Sequence, residues 1–155
     1  MATETERKFL LRNDSWRADA DAGAAIMQGY LANTHDCTVR VRVQGDSAWL
    51  TVKGPSETIS RAEFEYPVPV ADATEMLDSL AARPFIEKLR YRVVVAEHCW
   101  EIDVFGGDNL GLVVAEIELT SAEETFVRPD WVGREVSDDA RYFNAALVKR
   151  PFLTW

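Results

Sequence analysis

Along most of this chain, polar and apolar residues alternate with a period of two, the pattern of strands whose successive side chains point to opposite faces. The first run, Glu4 to Leu11, puts Glu4, Glu6 and Lys8 on one face and Phe9 and Leu11 on the other. From Cys37 to Gln44, Val39, Val41 and Val43 oppose Arg40 and Arg42. Gly45-Asp46 then marks a turn into a partner strand over 48–53, where Trp49, Thr51 and Lys53 share a face. Over 59–68, Arg61, Glu63 and Glu65 oppose Ala62, Phe64 and Tyr66; over 85–97, Lys88, Arg90 and Arg92 oppose Leu89, Tyr91 and Val93. Glu101 and Asp103 oppose Ile102 and Val104 over 100–105, and Glu116 and Glu118 oppose Ala115, Ile117 and Leu119 over 112–120. One more strand is predicted over 25–32, containing Gln28-Gly29-Tyr30-Leu31. Helical spacing predicts helices over 72–82, through Ala73, Met76, Leu77 and Leu80, and over 138–148, through Tyr142, Ala145, Ala146 and Leu147. Ser121-Ala122-Glu123-Glu124 has capping-box spacing and predicts a short helix before Pro129. Residues 13–23 read as a loop or short helical turn, and His98-Cys99 fall in a hairpin connection.

About eight strands with few helices predict a mainly β protein: an antiparallel sheet closed, or nearly closed, into an eight-stranded barrel with flanking helices. No linker, low-complexity run or repeat divides the chain, so one domain is expected over 1–155. The charged faces admit two arrangements. They face water around an apolar sandwich core, or they face a barrel lumen while the apolar faces point out. The second pattern also belongs to outer-membrane barrels, but the strands are uneven, helices interrupt them, and the start carries no export signal. A barrel of that polarity in water requires its helices to cover the outer apolar surface. Its lumen would cost several kcal/mol per desolvated ion, so it must be wet, internally paired or filled by a ligand.

Composition narrows the ligand. With 155 residues, 47% of them hydrophobic, the chain can bury a substantial core. A net charge of −9 repels phosphate backbones and excludes nucleic acid as the primary partner. An anionic ligand must therefore meet a local basic cluster or arrive with cations. Clustered Arg and Lys suit phosphate oxygens, and clustered carboxylates suit a hard divalent cation. Together they predict a metal-bound, highly charged phosphate compound. Cys37 and Cys99 form no disulfide framework, which, with the absence of a signal-like start, leads to an expected cytoplasmic location. No stretch of about 18 apolar residues predicts a membrane-spanning helix. His35 and His98 lack ligand spacing and are expected at the surface or in connections. Cys99 is expected to pack, and Trp49 to be a core or rim aromatic unless it stacks on an organic ligand.

The order of these elements resembles the CYTH superfamily, the triphosphate tunnel metalloenzymes. The resemblance rests on Glu4-Thr5-Glu6-Arg7-Lys8, Gln28-Gly29-Tyr30-Leu31, Arg40-Val41-Arg42, Lys53, Arg61-Ala62-Glu63-Phe64-Glu65, Glu87-Lys88-Leu89-Arg90-Tyr91, Glu101-Ile102-Asp103-Val104-Phe105, Glu116-Ile117-Glu118 and Arg141-Tyr142-x-Asn144. It implies a tunnel that binds a triphosphate with Mg²⁺ or Mn²⁺ and, in short bacterial members, hydrolyses tripolyphosphate to pyrophosphate and phosphate. It implies metal ligation by Glu4, Glu6, Asp103, Glu116 and Glu118, with Glu63 at a second metal. Lys8, Arg40, Arg42, Lys53, Lys88 and Arg90 would bind phosphate. For catalysis the candidates are Glu116 and Glu118, through water activation, and Lys8 with Tyr30; Tyr30 reads equally as barrel packing. Arg61, Arg92 and Glu65 read as lumen pairs, and Arg141 and Lys149 as a solvated helix face. Rival functions are hydrolysis of an organic triphosphate such as thiamine triphosphate or a nucleotide, adenylyl cyclisation, and a noncatalytic polyphosphate-binding module. The last would not need the full acidic set. The outer apolar faces leave room for a homodimer.

Overall fold

In the computed structural model, which describes residues 2–56 and 58–155, the alternating runs become strands β1 (Thr3–Leu11), β2 (Ala24–Asn33), β3 (Thr38–Gln44), β4 (Ser47–Lys53), β5 (Ser60–Pro67), β6 (Ile86–Val95), β7 (His98–Phe105) and β8 (Val113–Glu118). A short β9 (Val132–Glu135) follows, with helices α1 (Val70–Ser79) and α2 (Asn144–Lys149). Neighbouring strands run in the order β5-β4-β3-β2-β6-β7-β8-β1, all antiparallel. The barrel closes where Thr3, Glu4 and Thr5 of β1 pair with Ala62, Arg61 and Ser60 of β5. β8 occupies one edge of β1 from Glu6 to Leu10. Past Thr5 the other edge passes to β9, through Phe9↔Glu135 and Leu11↔Val132. That handover needs Gly133, because a Cβ there would sit 2.9 Å from the Leu10 carbonyl oxygen.

Closure decides the polarity of the faces: charged residues look inward and most apolar ones outward. Two outer patches are covered, by different means. Over β3 and β4, α1 lays Ala73 and Leu77 against Val41 and Ala48. The C-terminal end of α1 comes so close to β2 that a Cβ on Gly29 would lie 2.8 Å from Ala81 Cβ and 3.0 Å from Leu77 Cδ2. Over β1, β7 and β8, the cover is mostly not helical. Trp16, from a 3-10 turn at Ser15–Ala18, joins Phe9, Trp100, Ile102, Ile117 and Trp131 in one aromatic-rich core. Irregular segments supply that cover because large aromatics bury enough apolar surface per residue, ~1.5–3 kcal/mol each, to anchor a loop. Phe64 and Tyr66 on the outer face of β5 remain exposed. A third apolar cluster lies inside the barrel, where Leu147 and Val148 of α2 pack with Tyr30, Ile86, Phe105 and Val114 and fill one end of the lumen.

Several sequence expectations shift. Residues 121–124 form a turn rather than a helix, because the Glu124 carboxylate accepts from the Thr120 backbone N–H and, at 2.7 Å, from its hydroxyl, folding the segment back on itself. The predicted helix over 138–148 divides into a 3-10 turn at Ala140–Tyr142 and α2. The β6–β7 turn falls at Ala96-Glu97, closed by Val95↔His98, with Ala96 in the left-handed region at φ 55°. His98 and Cys99 therefore belong to β7. No helix of the described residues is long and apolar enough to cross a membrane.

Candidate active site

The unfilled part of the lumen is a tunnel of about 1000 Å³, at the upper end of ordinary ligand-site volumes. Strand alternation puts Glu4, Glu6 and Lys8 of β1 on its wall, with Tyr30, Arg40, Arg42, Lys53, Arg61, Glu63, Glu65, Lys88, Arg90, Arg92, Glu101, Glu116 and Glu118. Register then sorts these groups into three clusters.

Near barrel closure, Lys53 Nζ donates to both oxygens of Glu4 at 2.9 and 2.8 Å and lies 2.8 Å from Glu63 Oε2; Arg61 Nε donates to Glu4 at 3.2 Å. Farther along β1, Lys8 pairs with Glu116, its cross-strand partner on β8, at 2.9 Å and stands 4.0 Å from Glu6. Arg90 donates to both oxygens of Asp103, at 2.7 and 2.8 Å, to Glu116 at 3.1 Å, and also pairs with Glu101. Lys88 donates to Asp103 at 2.7 Å and to Asn144 Oδ1 at 3.2 Å. Asp103 is fully buried behind Lys88 and Arg90 and does not reach the tunnel surface. Burial alone would raise the Glu116 carboxyl, but Lys8, Arg90 and Lys88 hold it well below the usual range. Burial opposes the Lys8 charge as well, yet Glu116 and Glu6 keep its ammonium above its ordinary pKa.

The third cluster is short of negative charge. Arg40 and Arg42, with side chains 11% and 14% exposed, share one carboxylate, Glu65, at 3.8 and 3.5 Å. Arg40 adds a long bond of 3.4 Å to Thr51, whose hydroxyl is itself held by Glu65 at 2.8 Å. Neither Nε has a hydrogen-bond partner among the described residues. Burial and the neighbouring Arg40 lower the Arg42 pKa, because both disfavour the charged guanidinium. Trp49 lies over the Arg42 guanidinium at 5.3 Å, a rim aromatic off the tunnel surface.

A surplus of negative charge lies elsewhere. Glu6 and Glu118 stand opposite each other across β1 and β8, an arrangement that like charges make unfavourable. Glu118 forms no ion pair among the described residues. Burial, then Glu4 and Glu63, raises its pKa, and burial with Glu116 raises that of Glu6. Oxygen-only donors that repel one another fit a hard divalent cation. Among the described residues no three acidic, histidine or cysteine side chains form a ready-made cage.

Sequence reasoning did not assign roles to Glu101, Thr51, Phe143 or Asn144. Phe143 lies 5.6 Å from Lys8 Nζ, and Asn144 stood in a matched motif, but only α2 folding into the barrel brings either to the tunnel. Exposed Arg141 pairs with half-buried Asp139, away from the tunnel. Lys149 lines the rim and donates to the Asn33 carbonyl at 3.1 Å. His35 is exposed as expected. His98 instead holds Glu124 at 2.8 Å, with its side chain 15% exposed. Cys99 is exposed at the rim rather than packed.

Residues 2–150 match the family model of the CYTH domain. The chain belongs to the CYTH family. Among its CYTH relatives, the inorganic triphosphatase of Acetivibrio thermocellus is 48% identical over 152 residues, covering 98% of this chain and 97% of that protein. The inorganic triphosphatase of Nitrosomonas europaea is 36% identical over 151 residues, covering 94% and 97%. A crystal structure of an inorganic triphosphatase superposes with a TM-score of 0.66 at 32% identity, covering 96% of this chain and 95% of that one.

Proposed function

We propose that this CYTH protein is a divalent-metal-dependent hydrolase that cleaves inorganic tripolyphosphate to pyrophosphate and phosphate. The names of its near full-length relatives support the activity. The observation that carries the reading is the Arg40/Arg42 pair: two largely buried guanidiniums sharing one distant carboxylate. A phosphate chain would provide the missing acceptors, with bidentate geometry that suits Arg.

Arg40, Arg42, Lys53, Lys88, Arg90 and Lys8 would line up along the phosphates and offset their charge. Lys8, kept protonated by Glu116 and Glu6, acts as a cation and not as a base. Tyr30 lines the tunnel wall, where its hydroxyl can donate to a phosphate oxygen. Glu6 and Glu118 would hold the cation. Glu4, Glu63 and Glu116, already paired with Lys53, Arg61, Lys8 and Arg90, would act on the cation through its waters or at a second metal rather than as direct ligands of the first, while Asp103 anchors Lys88 and Arg90. A Mg²⁺ or Mn²⁺ bound there supplies charge neutralisation and water activation. Mg²⁺ commonly takes only one or two carboxylates and completes its sphere with substrate phosphates and water, which accords with the lack of a preformed cage. Phosphoryl transfer demands positioning and charge stabilisation more than covalent chemistry, and the paired lumen supplies both.

Phosphate release from tripolyphosphate, thiamine triphosphate and ATP, each with and without Mg²⁺ or Mn²⁺, tests the proposal. Metal-dependent preference for tripolyphosphate, with KM raised at least about tenfold in Arg40→Met through a lost charge-assisted bond, is the expected result. Preference for an organic triphosphate would replace the substrate, and binding without turnover would leave a polyphosphate-binding module. A cytoplasmic location, in keeping with two free cysteines, is checked by cell fractionation. A homodimer would use the exposed β5 face of Phe64 and Tyr66, and light scattering of the purified protein tests that.

A further inference from the structure

Gln28 is fully buried, yet neither polar atom of its carboxamide has a hydrogen-bond partner among the described residues. Buried polar groups are nearly always paired, and one that is not calls for an explanation. Gln28 lies in β2 in phase with Ile26 and Tyr30, on the lumen side, but behind the tunnel surface, so it does not meet a ligand directly. Its cross-strand neighbours are Ile86 on β6, which offers nothing polar, and Arg42 on β3. Directly opposed residues of an antiparallel pair have Cβ atoms ~4.5–5.5 Å apart, within reach of long side chains. Arg42 carries the complementary defect: its Nε–H is buried and has no acceptor among the described residues. An unfilled acceptor and an unfilled donor thus sit on adjacent residues, under the guanidinium assigned above to phosphate. Trp49 stands over that guanidinium at 5.3 Å and limits how it can turn.

We propose that Gln28 is a positioning residue for Arg42: its carboxamide oxygen takes the Arg42 Nε–H when the terminal nitrogens of the guanidinium are committed to phosphate. This rests on the triphosphate reading. In the free protein the terminal nitrogen leans toward Glu65 at 3.5 Å, and the bond to Gln28 is unmade. Phosphate would draw the guanidinium off Glu65, and the Gln28–Arg42 bond would then fix its plane. Binding would thereby repair part of a cost that the free fold carries, pairing Oε1 and the Arg42 Nε–H, the reverse of what a purely structural glutamine would do.

Gln28→Met tests this, since methionine has similar length and no orphaned polar atoms. Melting temperature is measured on the free protein, and tripolyphosphate affinity by calorimetry in metal-free buffer. The expected result is an unchanged or higher melting temperature with affinity at least about tenfold weaker, the effect of one lost bond to a charged group. In a double-mutant cycle, Gln28→Met with Arg42→Met should bind no more weakly than Arg42→Met alone, because Gln28 acts through Arg42. Wild-type affinity in Gln28→Met, additive losses in the double variant, or parallel loss of melting temperature and affinity in both Gln28→Met and Gln28→Leu would each overturn the assignment. Wild-type protein that neither binds tripolyphosphate in metal-free buffer nor hydrolyses it with Mg²⁺ or Mn²⁺ would overturn both this role and the triphosphate reading, whereas wild-type binding with an indifferent Gln28→Met overturns only the role.

Discussion

Asp103→Asn separates the energetic roles of the two cations that Asp103 holds. The carboxylate is fully buried and accepts three bonds, from Lys88 at 2.7 Å and from Arg90 at 2.7 and 2.8 Å. Asparagine keeps one acceptor and turns the other into a donor, so Arg90, which uses both oxygens, meets an N–H whichever way the amide faces, and Lys88 meets it in one of the two. Breaking a buried pair usually costs ~3–5 kcal/mol, but both partners here have relief. Arg90 keeps Glu116 and Glu101. Lys88 can lose its proton: burial, against the pull of Asp103, has already lowered it from 10.5 to about 8. Without Asp103 it would fall below neutrality, and at pH 7 this escape limits its added cost to about one pKa unit, on the order of 1 kcal/mol. Arg90 cannot deprotonate and accounts for the rest, ~2 kcal/mol for a lost bond to a charged group. The total expected at pH 7 is therefore ~3 kcal/mol.

The pH dependence follows from the sign of the Lys88 shift. Its folded pKa lies below its unfolded value, so between about 8 and 10.5 the unfolded chain binds the extra proton and wild-type stability rises with pH. In the variant this window opens lower. By about pH 9 Lys88 is mostly neutral in both proteins, and the deficit shrinks to the Arg90 share, ~2 kcal/mol. Urea unfolding followed by tryptophan fluorescence at the two pH values measures this. A deficit below ~1 kcal/mol at neutral pH, or one that grows in alkali, would refute the reasoning.

Glu118→Gln should reduce metal-dependent phosphate release by at least ~10-fold while melting temperature holds or rises, because the glutamate has no cationic partner among the described residues and is crowded by other carboxylates; a titration of rate against Mg²⁺ should show half-saturation moving upward. Gly133→Ala should destabilise the fold by ~1–3 kcal/mol, since its Cβ would meet the Leu10 carbonyl at 2.9 Å and prise β9 from β1. Urea denaturation checks this, and a stability within ~0.5 kcal/mol of wild type would show that the β1–β9 edge yields easily.

Much of the architecture was legible in the sequence because it depends on local periodicity. A strand's period of two places Glu4, Glu6 and Lys8 on one face whatever the strand pairs with, and the repetition of that pattern in β3, β5, β6, β7 and β8 was enough to predict a barrel with a charged side. The elements it missed are those without a period. β9 has four residues and depends on a glycine meeting a backbone carbonyl. The β6–β7 turn uses Ala96 in a conformation usually signalled by Gly or Asn. Trp16 lies in an acidic stretch that looks like surface until Tyr91 packs against it, ring centroids 5.2 Å apart and tilted by 58°.

By itself, then, the order of residues determined which side chains share a face and which residue types are available to phosphate and metal. It could not determine which acid meets which base, because all the inward charges are equivalent until register brings them together. Tertiary structure alone left Arg40 and Arg42 with one carboxylate between them, buried Asp103 behind two cations, and set Glu6 against Glu118. The physical reason is that partner choice is made across strands as far apart in sequence as β1 and β8, through Coulomb energies that depend on separations of a few ångströms.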